Sequence, residues 1–309
     1  MIDSSYALIK QEILKFDKGL EGSLQGSIED FSPILNFFLN SQGKKIRPAL
    51  GILFSKGLGN FTENQNTFLQ AVELIHNATL FHDDVIDGAD ERRNNESLNK
   101  KFSNKLAILS GDYFLSCALK NIAQLAHPEI NSLLAECISQ LCEGELEQDL
   151  NLYKIISMEK YLQKTERKTA KLFELTLGGC AILSEKPSKE LINLAKKLGK
   201  NIGMVFQIRD DLKNFKIEND KPYYNDLKSG IYTAPILFLA QENNTVAQLL
   251  QDKKYEIIIE LLNNSTAFQQ TKELLDKYYN LAEESLNNLP QNKYSQALKE
   301  LLSNLRDDC

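Results

Sequence analysis

Residues 67–87 run without a glycine or a proline, carry Ala71, Ile75, Ala78 and Val85 along one stripe, and end on Asp83-Asp84-Val85-Ile86-Asp87. Apolar residues recurring at three- and four-residue spacing with nothing to interrupt them specify a long helix. The pattern returns through the chain: helices are expected at about 5–18, 28–41, 103–126, 130–150, 157–182, 188–215 and 232–241, with two or three more toward the C-terminus. Seven prolines and fifteen glycines in 309 residues are too few turn signals for a strand-rich fold. The expectation is an all-α protein. Hydrophobic residues, 42% of the total, are spread evenly and no linker interrupts them, so 1–309 reads as a single domain with one large core.

The acidic end of the first long helix recurs as Asp210-Asp211-Leu212-Lys213-Asn214. Residues at i and i+4 share a helix face, so Asp83 and Asp87 project together and can share a hard divalent cation. Both clusters sit in apolar surroundings, where unpaired carboxylates are costly; a metal accounts for their being tolerated. Mg²⁺ retains waters and shares substrate phosphates, so two such clusters call for an anionic, oxygen-rich ligand. Arg92, Arg93, Lys168 and Lys221, expected close to helix ends, could finish neutralising a diphosphate. Lys44 and Arg47, in Gly43-Lys44-Lys45-Ile46-Arg47-Pro48, gather at a helix start, where the helix dipole does not favour cations. The irregular stretch from Lys216 to Ile231 directly follows the second cluster, where a loop could cover a site.

Several classes are disfavoured. A net charge of −6 and a pI near 5.4 argue against an extended nucleic-acid footprint. No glycine-rich phosphate loop is present. No run of eighteen apolar residues offers a membrane span, and no signal peptide is expected. The five cysteines lack metal-type spacing and read as core filler and a tail thiol; their odd number fits a reducing compartment, so a cytoplasmic location is expected.

Taken in order, Gly43–Pro48, Leu80-Phe81-His82-Asp83-Asp84-Val85-Ile86-Asp87, Arg92-Arg93, Gly111-Asp112-Tyr113, Gly144-Glu145-Leu146-Glu147-Gln148, Lys168-Thr169-Ala170, Phe206-Gln207-Ile208-Arg209-Asp210-Asp211 and Asp226-Leu227…Gly230…Thr233-Ala234-Pro235 resemble the motifs of trans-type polyprenyl diphosphate synthases, most like medium- and long-chain bacterial members. The resemblance covers about residues 40–240 and implies a bundle of ten or more helices around a central cavity. It implies that Asp83, Asp84 and Asp87 hold Mg²⁺ on an allylic diphosphate from one side, and Asp210 and Asp211 from the other, with three ions in all. Arg92, Lys168 and Lys221 resemble the allylic-diphosphate contacts. Lys44, Arg47, His76 and Arg93 resemble the pocket for isopentenyl diphosphate, bound without metal. Thr169 and Gln207 would face the reacting carbons, with Lys168 beside them. Glu145 and Gln148 stay open between packing groups and an outer metal shell. A homodimer is implied, and some members work only with a small accessory subunit.

The product should lengthen until something blocks the cavity below the first cluster. Ala78 and Thr79, four or five residues earlier and about one turn deeper, are small where short-chain members often carry aromatics. Ile75, Val72, Phe114 and Leu115 are deeper candidates for the floor, and a product of roughly six to eight isoprene units is expected in a mostly apolar pocket. Three positions depart from the family pattern: Asn214 where the second cluster usually has a third aspartate, Ile231 where many members have a lysine, and Asn94 where a glycine is usual. A class I terpene cyclase would share the acidic helices, but it needs no second diphosphate pocket of the kind Lys44, Arg47 and the paired arginines suggest. A regulatory subunit without activity is disfavoured by the intact acidic clusters.

Overall fold

A computed structural model describes residues 3–24, 31–40, 43–92, 95–215, 217–218, 221–222 and 224–307, with only the backbone at 3, 217–218 and 221–222. Helices dominate, as the periodicity requires. The first acidic helix, Glu63–Ile86, begins one turn earlier than expected because Thr62 and Gln65 form a capping box: the Gln65 N–H donates to the Thr62 hydroxyl at 3.2 Å, and the Thr62 N–H to Gln65 Oε1 at 2.8 Å. It ends at Asp87, followed by Gly88 at φ +61, the left-handed turn that glycine adopts without penalty. The second acidic helix, Lys189–Lys213, is capped by Ser188, whose hydroxyl accepts from the Leu191 N–H at 3.1 Å.

Each acidic helix runs into a short antiparallel hairpin. Glu91–Arg92 pairs with Asn95–Glu96, and Ile217–Glu218 with Lys221–Pro222. These are the only strands among the described residues, and they stand where the sequence reading expects irregular loops. The expected first helix is two, Asp3–Leu8 and Lys10–Ser23; the second is Ser32–Asn40. Pro128 opens the helix Pro128–Leu150, where its missing N–H costs nothing.

Ile46–Gly57 is buried on nearly every face, as a central helix must be, and packs against Lys171–Ile182 and Lys293–Asp307. Around it the first acidic helix lies along Asn104–Leu125, and the second along Lys171–Ile182 and Ala267–Asn287. Phe16, Leu53, Phe54, Phe68 and Phe173 anchor the main core, each contributing about 1.5–3 kcal/mol by burial. A smaller cluster built on Tyr161, Leu227, Tyr232 and Ile236 supports the segment after the second hairpin.

The expected helix over 157–182 is interrupted. Met158–Thr165 passes into a π-helical turn, Glu166–Ala170, before Lys171–Ile182 resumes. Lys168 therefore lies on a widened mid-helix turn, not near a helix end. Two glycines allow it: a Cβ on Gly144 would sit 2.7 Å from the Lys168 nitrogen, and one on Gly203 would sit 2.5 Å from the Ala170 Cα. π-turns of this kind re-aim side chains and recur at functional sites.

Candidate active site

The acidic helices bring Asp83 and Asp210 onto the wall of one cavity of about 510 Å³. Arg47, His76, Thr79, Arg92, Lys168 and Thr169 also face it, and Leu80, Leu141, Leu172 and Phe206 give it an apolar side. A recess of about 190 Å³ adjoins it through the shared Lys168, Thr169 and Gln207, and holds Asp87, Asp211 and Asp226. Two clusters more than a hundred residues apart in sequence thus converge on one hollow.

Burial governs the charge state of these groups. Desolvation, reinforced by Glu145 and only partly opposed by Lys168, pushes the Asp83 carboxyl up to about 7. The same cause raises Asp87 and Asp226. Asp211 rises to about 6 by burial, although the Tyr161 hydroxyl donates to it at 2.5 Å and the Gln207 amide at 2.8 Å. Gln207 is fixed at its other end by the Thr169 hydroxyl, which donates to its Oε1 at 2.8 Å. Thr169, Gln207 and Asp211 form one relay, with Tyr161 closing it from behind.

The cations are held by internal carboxylates. Lys168 pairs with Glu145 at 2.6 Å, and Arg92 grips Asp84 through Nε and a terminal nitrogen, each at 2.6 Å. Arg209 pairs with Asp210 at 2.5 Å and lies 4.5 Å from the centroid of the Phe206 ring; Arg47 lies 4.4 Å from that of Phe173.

Several expected site residues are placed differently. Asp84 lines neither hollow; its side chain is only 2% exposed and anchors Arg92, which does line the cavity. Ala78 is buried in the core and only Thr79 reaches the cavity, its hydroxyl donating to the His76 carbonyl at 2.8 Å. Lys44 lines neither hollow. Asn214, which stands in place of a third aspartate, lines neither hollow, and its amide nitrogen donates to Asp226. Cys142, read as core filler, is exposed on the cavity wall. Glu145 proves to be a wall residue, and Gln148 lines the recess and donates to it at 3.3 Å. Arg93 and Asn94, and the side chain of Lys221, lie outside the described residues. The sequence reading missed Tyr161 and Lys164 as site residues; the signal available was that both fall within two turns of Lys168.

Among the described residues no three His, Cys, Asp or Glu side chains close into a metal cage. The donors are instead desolvated carboxylates on facing walls. That set suits a hard divalent ion whose remaining positions are filled by water and ligand oxygens.

The family profile described as polyprenyl synthetase matches residues 29–278. The chain belongs to the polyprenyl synthetase family. A crystal structure of heptaprenyl diphosphate synthase from Staphylococcus aureus is 30% identical and superposes with a TM-score of 0.91 over 97% of this chain and 98% of that one. Heptaprenyl diphosphate synthase component 2 of Geobacillus stearothermophilus is 29% identical, with 97% of each chain covered. Decaprenyl-diphosphate synthase of Dictyostelium discoideum is 36% identical over 85% of this polyprenyl synthetase, which spans 59% of that longer protein. Each of these relatives is named as a synthase, not a cyclase, and the all-α fold and the prenyl diphosphate synthase class follow. No helix among the described residues of this polyprenyl synthetase is long and apolar enough to cross a membrane.

Proposed function

We propose that this chain condenses isopentenyl diphosphate, head to tail and in trans, onto an allylic diphosphate to give a medium- to long-chain polyprenyl diphosphate. The observation that carries the proposal is the presence of Asp83 and Asp210 on one cavity that also has an apolar side. In this reading Asp83 and Asp87 face Asp210 and Asp211 across the allylic diphosphate and hold Mg²⁺, three ions in all, with Asp84 acting through Arg92. Mg²⁺ supplies neutralisation of a diphosphate as it becomes a leaving group. Arg92, Lys168 and Lys221 add positive charge on the same group, which matters most in a site shielded from water. Arg47, His76, Arg93 and Lys44 hold isopentenyl diphosphate, whose double bond is the nucleophile; no side-chain nucleophile is needed. Thr169 and Gln207, locked together by their hydrogen bond, steer the reacting carbons.

The chain acts as one synthase unit over 1–309 in the cytoplasm. Leu106, Leu109 and Leu119 on Asn104–Leu125 and Leu146 and Leu150 on Pro128–Leu150 are exposed apolar residues beside the site. They support a homodimer formed through these flanking helices. The component naming of the Geobacillus relative supports the idea of an accessory subunit. A product of roughly six to eight units fits the small Thr79 on the cavity wall.

The test is incubation of the purified chain with labelled isopentenyl diphosphate, farnesyl diphosphate and Mg²⁺. Extended polyprenyl diphosphates are expected, and both Asp83→Asn and Asp210→Asn should remove them. Absence of extension, with and without the accessory subunit of a related two-component synthase, would refute the proposal.

A further inference from the structure

Lys164 lies one helical turn before Lys168 and is 8% exposed, an unusual position for a lysine. Its side chain lines the recess together with Asp87, Asp211, Asp226 and Ile231. Among the described residues it forms no close ion pair; the Tyr161 ring lies beneath it, 5.7 Å from ammonium to centroid. A desolvated ammonium without a direct partner is expensive, and burial lowers its pKa while Asp211 and Asp226 act against that from a distance. Those two carboxylates do not depend on it for hydrogen bonds. Asp211 accepts from Tyr161 and Gln207, and Asp226 accepts from Asn214. The ammonium is therefore left facing the recess.

Among the described residues, the recess otherwise lacks free positive charge. Lys168, the other cation on its wall among the described residues, is already tied to Glu145. Residue 231, which the Ile231 N–H fixes by donating to the Asp226 carbonyl at 2.8 Å, is apolar.

We propose that Lys164 is a diphosphate-contacting residue of the allylic subsite, supplying from the helix the positive charge that Ile231 does not. The proposal rests on the reading of the cavity as a prenyltransferase site. It predicts a charge relocated across one recess: the same phosphate oxygens would be reached from the opposite wall.

The experiment compares wild type, Lys164→Met and the double variant Lys164→Met/Ile231→Lys. In Lys164→Met, the KM for farnesyl diphosphate should rise about 10- to 100-fold, the range of one charge-assisted hydrogen bond, while the KM for isopentenyl diphosphate stays within about twofold. Titration calorimetry with Mg²⁺ and inorganic pyrophosphate should show a matching loss of affinity, and the melting temperature should not fall, since a buried charge has been removed. The double variant should regain at least about tenfold of the lost pyrophosphate affinity. If Lys164→Met destabilises the chain, Lys164→Arg provides the second reading: with the charge kept, its pyrophosphate affinity should stay within about threefold of wild type. Unchanged farnesyl KM and pyrophosphate affinity in Lys164→Met would overturn the proposal, as would equal losses for both substrates, which mark a structural counter-ion. If the wild type transfers no prenyl group, the functional reading fails on its own, and the pyrophosphate titration still decides the role of the lysine.

Discussion

Replacing Asp83 by asparagine tests whether the site is maintained against the stability of the fold. Burial, with Glu145 nearby, raises the Asp83 carboxyl from 3.8 to about 7. A group whose folded pKa lies above its unfolded value is bound more tightly by its proton in the native state, so native stability is greatest below pH 4 and falls as pH rises toward 7. Above 7 both states have lost the proton and the penalty is constant. The full shift corresponds to about 4 kcal/mol, but Asp83 borders a cavity that water enters, and screening brings the expected effect to about 2–4 kcal/mol. Asparagine keeps the shape and removes the charge. The variant should therefore match wild type near pH 4 and melt about 3–6 °C higher at pH 8 in the absence of Mg²⁺. Added Mg²⁺ and pyrophosphate should stabilise wild type strongly and Asp83→Asn little, so that the order of melting temperatures reverses. Differential scanning fluorimetry across pH, with and without the two ligands, reads all of this. A variant that melts lower than wild type at pH 8 without ligand, or that shows the same ligand stabilisation, would refute the reasoning.

Thr79→Phe should shorten the product, read by chromatography of the dephosphorylated alcohols, whereas Ala78→Phe, buried off the cavity, should mainly overpack the core and cost about 1–3 kcal/mol of stability. Gly144→Ala would push a Cβ against the Lys168 nitrogen at 2.7 Å, so kcat should fall with the π-turn displaced; an unchanged kcat would deny the turn a positioning role. Asp84→Asn should free Arg92, destabilising the chain by about 1–3 kcal/mol and raising the allylic KM more than the isopentenyl KM. Because burial raises Asp83 to about 7 and Asp211 to about 6, Mg²⁺ binding in the absence of pyrophosphate should release protons near pH 6.5 and fewer above pH 8, measured calorimetrically in buffers of different ionisation enthalpy.

The long helices and the meeting of Asp83 with Asp210 were legible because periodicity and like chemistry are local signals. The place of Asp84 was nearly so: adjacent residues on a helix point about 100° apart, and Asp84 could not share the face of Asp83 and Asp87. The π-turn was not legible. No residue type in Glu166–Ala170 demands it, and it is selected by the approach of Gly144 and Gly203 from two other helices. Nothing local in the sequence marks Lys164, and the recess that holds it is completed by Asp226, Ile231 and Thr233 from a distant segment. What escapes the sequence is therefore what depends on three or more elements packing at once.

The same packing explains why Lys168, Arg92 and Arg209 are paired before any ligand arrives. Asp83, Asp87, Asp210, Asp211 and Asp226 line the cavity and its adjoining recess, and their mutual repulsion works against the compact state. Lys168 on Glu145, Arg92 on Asp84 and Arg209 on Asp210 relieve it. Under the proposed function, binding a diphosphate would be an exchange of partners: Lys168 would leave a carboxylate 2.6 Å away to reach a phosphate oxygen. The Arg92–Asp84 pair behaves differently. Its carboxylate is buried while the arginine is about one third exposed, so Arg92 can meet a ligand without giving up its anchor. In that reading one cation would be released by the ligand and the other is aimed in advance. The affinity of the site for diphosphate accordingly measures the difference between two sets of ion pairs, which is why removing Glu145 should tighten diphosphate binding even as it leaves Lys168 less well positioned.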